Sequence, residues 1–140
     1  MPLNAAQNAD PRTIHVRQGV SWRGVFTWTQ PVDPDADPVT YEPVPVDDYS
    51  AVFTWLAKPG GTVLVTVASP DSDDGGIDID TGTAVFTVHL NAEQTALLTK
   101  DGAYELNAVS LTDPNEVELI SAGWANLILS GEAYPYPAVT

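Results

Sequence analysis

The chain contains no cysteine. Disulfides, thiolate nucleophiles and cysteine-ligated zinc or iron–sulfur centres are therefore excluded. Positive charge is scarce: five lysines and arginines stand against nineteen aspartates and glutamates, a net charge of −14. Nucleic acid and anionic lipid both need a basic footprint, so neither is an expected partner. No apolar run approaches the ~20 residues of a membrane-spanning helix, so no membrane association is expected. The opening stretch MPLNAAQNADPR lacks a basic start and an apolar run. No secretory leader is read there, and a protein made in the cytoplasm, or assembled there into something larger, is expected.

Motifs of catalysis are equally scarce. A Walker loop, a dinucleotide-binding glycine fingerprint and a Gly-x-Ser-x-Gly elbow are all missing. His15 and His89 fall on the polar faces of their strands and have no third ligand at a metal-binding spacing. Carboxylate pairs exist only in the sense that any acid-rich chain has them. The sequence therefore reads as non-enzymatic, with no cofactor and no catalytic residues. Two acidic clusters are candidate calcium ligands: Asp33, Asp35 and Asp37, and Asp71, Asp73 and Asp74 with Asp78 and Asp80. Neither has the glycine and distal glutamate of an EF-hand, and acid runs mostly solvate a surface. No metal site is expected.

What the chain does have is alternation. Its 140 residues and 44% apolar content suit one domain with one core. Residues 75–111 organise it. Ala84, Phe86, Val88 and Leu90 point one way and Val85, Thr87 and His89 the other, which is the period of a half-buried strand. Asn91 and Gln94 form the two halves of a capping box, opening a short helix over 92–98 held through Ala96, Leu97 and Leu98. Asp101-Gly102 supplies a turn into a strand that buries Tyr104, Leu106 and Ala108 and exposes Glu105 and Asn107. A phase shift to Val109 and Leu111 predicts a bulge just after Ala108.

Residues 1–10 read as a loose arm, 11–130 as the folded domain and 131–140 as a proline-punctuated tail. Val20, Trp22, Phe26 and Trp28 share one strand face, and Gly24 on that face marks a bulge or a ring from another strand packed over the backbone. Residues 30–48 are rich in proline and acid and read as a long, partner-facing loop. Residues 49–56 and 62–67 form a hairpin around Lys58-Pro59-Gly60-Gly61, a type II turn. A second acidic loop covers 69–76. Residues 117–120 and 124–129 are the last strands, with a kink at Gly123. Many short strands, regular turns and one brief helix predict an all-β, immunoglobulin-like antiparallel β-sandwich. Trp22, Trp28, Trp55 and Phe53 are in phase with its core. Tyr134 and Tyr136 lie in the tail, where they either fold back on the sandwich or anchor an interface with a neighbour.

From Gly76 onward the chain resembles small virion proteins of tailed bacteriophages. The resemblance rests on Gly76-Ile77-Asp78-Ile79, on Gly82 followed by the strand from Thr83 to Leu90, and on the helix Ala92-Glu93-Gln94-Thr95-Ala96-Leu97-Leu98. It continues through Gly102 and Tyr104-Glu105-Leu106 to Pro137-Ala138-Val139-Thr140, with Gln18-Gly19-Val20-Ser21 as a matching opening. Glu105 departs from the family's usual aspartate, a basic residue is missing near Glu118-Leu119-Ile120, and the insertion over 33–48 is long. The resemblance implies an immunoglobulin-like fold and a structural role in a virion assembled in the host cytoplasm. Its partners would be other virion proteins, the major capsid or a tail protein, in a homo-oligomeric or multi-copy arrangement. Decoration of the capsid surface is the leading expectation. A tail, neck or baseplate component, or a carbohydrate-binding module on a host-facing appendage, is the alternative. The last would need a planar set of exposed rings.

Overall fold

The computed structural model describes residues 10–129. Eleven strands and one helix run in this order: β1 (Asp10–Pro11), β2 (Ile14–Arg17), β3 (Trp22–Thr27), β4 (Thr29–Pro31), β5 (Tyr41–Pro43), β6 (Tyr49–Leu56), β7 (Val63–Ala68), β8 (Gly76–Asp80), β9 (Val85–Leu90), α1 (Ala92–Ala96), β10 (Gly102–Ser110) and β11 (Val117–Ile128). None of the described helices is long and apolar enough to cross a membrane.

The strands form two main sheets. The larger runs β1-β11-β10-β6-β7, with β2 also on β11; the smaller runs β3-β9-β8. The chain crosses between the two main sheets after β2, after β3 by way of β4 and β5, after β7, and after β9 through α1. The two N-terminal strands pair parallel with β11, whereas β10 pairs antiparallel with both β6 and β11. This is an immunoglobulin-like β-sandwich. Tyr104 stands near the start of β10, two residues before Leu106, where antibody-type domains carry a cysteine. Here the sheets are joined by packing and by Arg12, which donates to the Val25 carbonyl at 2.7 Å and lies over the Phe26 ring. Phe26, Phe53, Phe86 and Leu106 are all buried, and Phe53 stacks on Tyr104 with ring centroids 5.8 Å apart.

Local chemistry explains most of the elements. The inward set Ala84, Phe86, Val88 and Leu90 is fully buried. The capping box forms as its residues predict: Gln94 N–H donates to Asn91 Oδ1 at 2.9 Å and Asn91 N–H donates to Gln94 Oε1 at 2.8 Å. The hairpin turn also forms, with Gly60 at φ +71 and Gly61 N–H bonded to the Lys58 carbonyl at 2.8 Å. A positive φ after proline is what a type II turn requires of its third residue.

Other elements differ from the sequence expectation. The helix spans only Ala92–Ala96, and it is anchored by Thr95 and Leu98; Leu97 is 70% exposed. Thr95 Oγ1 donates to the Val20 carbonyl at 3.0 Å, a polar anchor that an apolar pattern does not reveal. Val20 is exposed, because β3 begins only at Trp22. The ring lying over Gly24 is Trp22 of the same strand, not one from a neighbour. The segment 30–48 is not one long loop. Pro31 and Pro43 sit in the small β4-β5 sheet, where a missing donor is tolerated at an edge, and Val46 returns fully to the core.

Toward the C-terminus, β10 keeps its phase to Ser110, which is buried, while Leu111 is exposed. The bulge lies instead opposite Leu106 and Asn107, where β11 carries Ile120 as an extra residue. Gly102 is inside β10 rather than in a turn; a Cβ there would strike the Leu56 carbonyl. The two strands expected around Gly123 are one continuous β11.

Candidate functional site

Two of the candidate calcium ligands close local turns. Asp33 Oδ1 accepts from the Asp35 N–H at 3.0 Å, and Asp80 Oδ1 from the Gly82 N–H at 3.0 Å. Both are turns closed by an aspartate on its own backbone. Among the described residues no three His, Asp or Glu side chains converge on a point that would hold a metal ion. Tyr134 and Tyr136 lie outside the described residues.

His89 is where the sequence reading fails most plainly. Its strand phase sends it outward, yet it is only 8% exposed. The loop before β8 folds over it. His89 Nδ1 lies 2.9 Å from Asp71 Oδ1, and Arg23 Nη1 lies 3.3 Å from Asp71 Oδ2. An ionised carboxylate only accepts, so the histidine carries its proton on Nδ1. The hydrogen bond to His89 holds the Asp71 carboxyl below its ordinary range; partial burial opposes this and Arg23 reinforces it. Arg23 and His89 are register partners across β3 and β9, so the cluster fastens the second acidic loop to the smaller sheet. Its chemistry is that of a clasp; Arg23 also lines an open hollow of about 530 Å³ together with Arg12, His15 and Trp22.

The larger sheet offers a different surface. Its registers place Val63 beside Leu56, Leu56 beside Ala103 and Ala103 beside Trp124, so one apolar row crosses β7, β6, β10 and β11. The next row outward is Thr66, Thr54, Glu105 and Ala122. Beyond it come Ala68, Val52, Asn107 and Leu119. These residues alternate with the inward set; in the first row Leu56 and Ala103 are themselves buried, and Val63 and Trp124 at its ends are exposed. Glu105 is the single charged group in the three rows. On a chain of net charge −14 that is an unusual allocation. The smaller sheet is the opposite: Arg23, Asp78 and Asp80 belong to its outward rows, with Asp71, Asp73 and Asp74 on the adjoining loop.

Within this charge-poor face, Leu56, Pro59, Gly60, Ala103 and Trp124 line a shallow groove of about 210 Å³, and Glu105 lines it too. Trp124 stands at its edge, 60% exposed. Trp55, Trp28 and Trp22 go where their phase predicts, the first two buried and the third packed against the core. Trp124 does not share that fate. The sequence signal was available: Ala125 and Leu127 are the inward residues of that stretch, which puts Trp124 on the other face.

No protein-family model matches the chain, and no curated protein matches it. Solved structures do. One is the ZIG-8–RIG-5 IG1–IG1 heterodimer, with 10% identity and a TM-score of 0.41, covering 85% of this chain and 83% of that one. Another is the NK cell receptor Nkp44, a triggering partner in natural cytotoxicity, with 14% identity and a TM-score of 0.48, covering 87% of this chain and all of that one. It is the strand order and register described above that make the present chain an immunoglobulin-like domain.

Proposed function

We propose that this domain is a non-enzymatic, protein-binding structural component of a tailed-phage virion, seated on the capsid surface. The observation that carries the protein-binding part is the charge-poor outer face of the larger sheet, with Trp124 and its groove, on an otherwise strongly acidic chain. Surfaces stripped of charge and bearing an exposed aromatic are what protein interfaces select. The virion part rests on the sequence resemblance set out above. An acidic single domain suits a shell coated in many copies, since weak contacts then add. Immunogold microscopy with antibody to the recombinant domain tests the reading on phage particles from the same source. Label spread over heads is the expected result. Label at the neck or tail tip would move the protein to the tail machinery, and unlabelled particles would end the virion reading.

Trp124 also favours a second reading, a glycan-binding module, because an exposed ring beside a shallow groove can stack on a sugar. Among the described residues Trp124 and Tyr41 are the exposed rings, and they belong to different sheets. Glycan titration followed by tryptophan emission separates the two, and a saturable shift lost in Trp124→Ala would support the second.

A further inference from the structure

We propose that the outer face of the larger sheet receives a second copy of this chain, the Trp124 of each copy entering the groove of the other. The groove and the ring are adjacent on one face: Leu56, Pro59 and Ala103 form the hollow, and Trp124 is the projection at its rim. A projection beside a hollow is the self-complementary pattern that a two-fold contact requires, since each copy supplies both halves.

Charge decides between occupants. A basic partner would gain little on this face, where Glu105 is the only carboxylate in the three rows, and would be drawn instead to the acids around Asp71, Asp78 and Asp80. A second acidic copy faces the reverse situation. It is repelled least on this face, where each copy brings only Glu105, and docking through the larger sheet leaves both acidic sheets pointing outward. Area is consistent with a modest affinity. Four strands about 4.8 Å apart and about 27 Å long present a footprint on the order of 500 Å² per copy. The total of about 1,000 Å² stands at the lower limit of specific interfaces, so a weak, reversible contact is expected. The inference does not depend on the virion assignment.

Sedimentation equilibrium of the full chain tests it. The expected result is a reversible dimer that tightens between about 0.1 M and 1 M salt, as the screening length falls from about 10 to 3 Å and repulsion between the acidic bodies fades. Trp124→Glu should raise the dissociation constant by roughly tenfold or more. Val63→Glu, at the far end of the same row, should weaken the dimer too, whereas Val25→Glu on the smaller sheet should leave it unchanged. Val25, Val63 and Trp124 are all at least half exposed, so none of these variants threatens the core. A monomer throughout the millimolar range at high salt overturns the proposal. So does a dimer that survives Trp124→Glu and Val63→Glu, because it would form elsewhere.

Discussion

The Tyr104 hydroxyl donates to the Arg12 carbonyl at 2.6 Å, linking residues 92 positions apart, and lies 2.9 Å from Ser121 Oγ. The N-terminal segment pairs with β11 in two pieces, at Asp10–Pro11 and at Ile14–Arg17, and Arg12 lies in the gap between them. Tyr104 thus supplies the bond that the strand ladder omits. Removing the hydroxyl in Tyr104→Phe leaves a part-buried carbonyl with one partner fewer while keeping the stacked ring. A loss of about 1–2 kcal/mol is expected, read as a lower urea midpoint at unchanged slope.

The Asp71 clasp predicts a pH dependence with a definite sign. Its carboxyl is held below the ordinary range by His89 and Arg23. A depressed folded value means stability that is complete above the unfolded value, near pH 4, and lost as the pH falls below it. Asp71 is about a quarter exposed, so water screens the pair and the effect stays below ~1 kcal/mol. Urea midpoints of wild type and Asp71→Asn should therefore differ at pH 6 and converge as the pH drops below about 4. A gap that stays constant with pH would show that the ionised carboxylate is not its source.

Gln94 does more than close the helix cap. Its Nε2 also donates to the Asp74 carbonyl at 2.8 Å, so one side chain ties α1 to the second acidic loop. Asn91→Ala should cost about 1 kcal/mol, the usual loss of a cap. Gln94→Ala should cost at least as much, and it should speed amide exchange at Asp74 and Gly75 more than Asn91→Ala does, because Asn91 Nδ2 makes only a longer bond to the loop, at 3.3 Å to the Asp73 carbonyl. Equal exchange in the two variants would show that the loop is held by its other contacts.

Strand phase and turn chemistry made much of this fold readable in advance. Ala84, Phe86, Val88 and Leu90 needed only their period of two, and Pro59-Gly60 only their backbone limits. What escaped were features set by residues distant in sequence. His89 is outward by phase and buried in fact, because Asp71 returns over it across 18 positions. Thr95 anchors the helix through a hydroxyl bond 75 positions away, which made Leu97 a false anchor. The charge-poor face was the hardest to see. It is assembled from alternate residues of four strands, and each strand taken singly is an ordinary half-buried one. Only the registers align Val63, Leu56, Ala103 and Trp124 into one row.

Gly123 joins the first relationship to the last expectation. The sequence makes it a kink, but β11 runs straight through it, and the reason for glycine is contact: a Cβ there would collide with the Arg12 carbonyl. That oxygen is backbone and is held by the Tyr104 hydroxyl, and the Tyr104 ring itself would lie 3.4 Å from the added Cβ, so there is little room to retreat. Gly123→Ala must therefore push the N-terminal segment off β11. We expect a loss of more than about 2 kcal/mol, in the range of overpacked cores. The two residues act on one atom, which makes their effects dependent. Once Gly123→Ala has displaced Arg12, the Tyr104 hydroxyl has already lost its acceptor, and Tyr104→Phe should cost little more. A double-mutant cycle should return a coupling of about 1 kcal/mol or above. Simple additivity would mean that Arg12 stays in place and that the alanine is accommodated by movement of β11 instead.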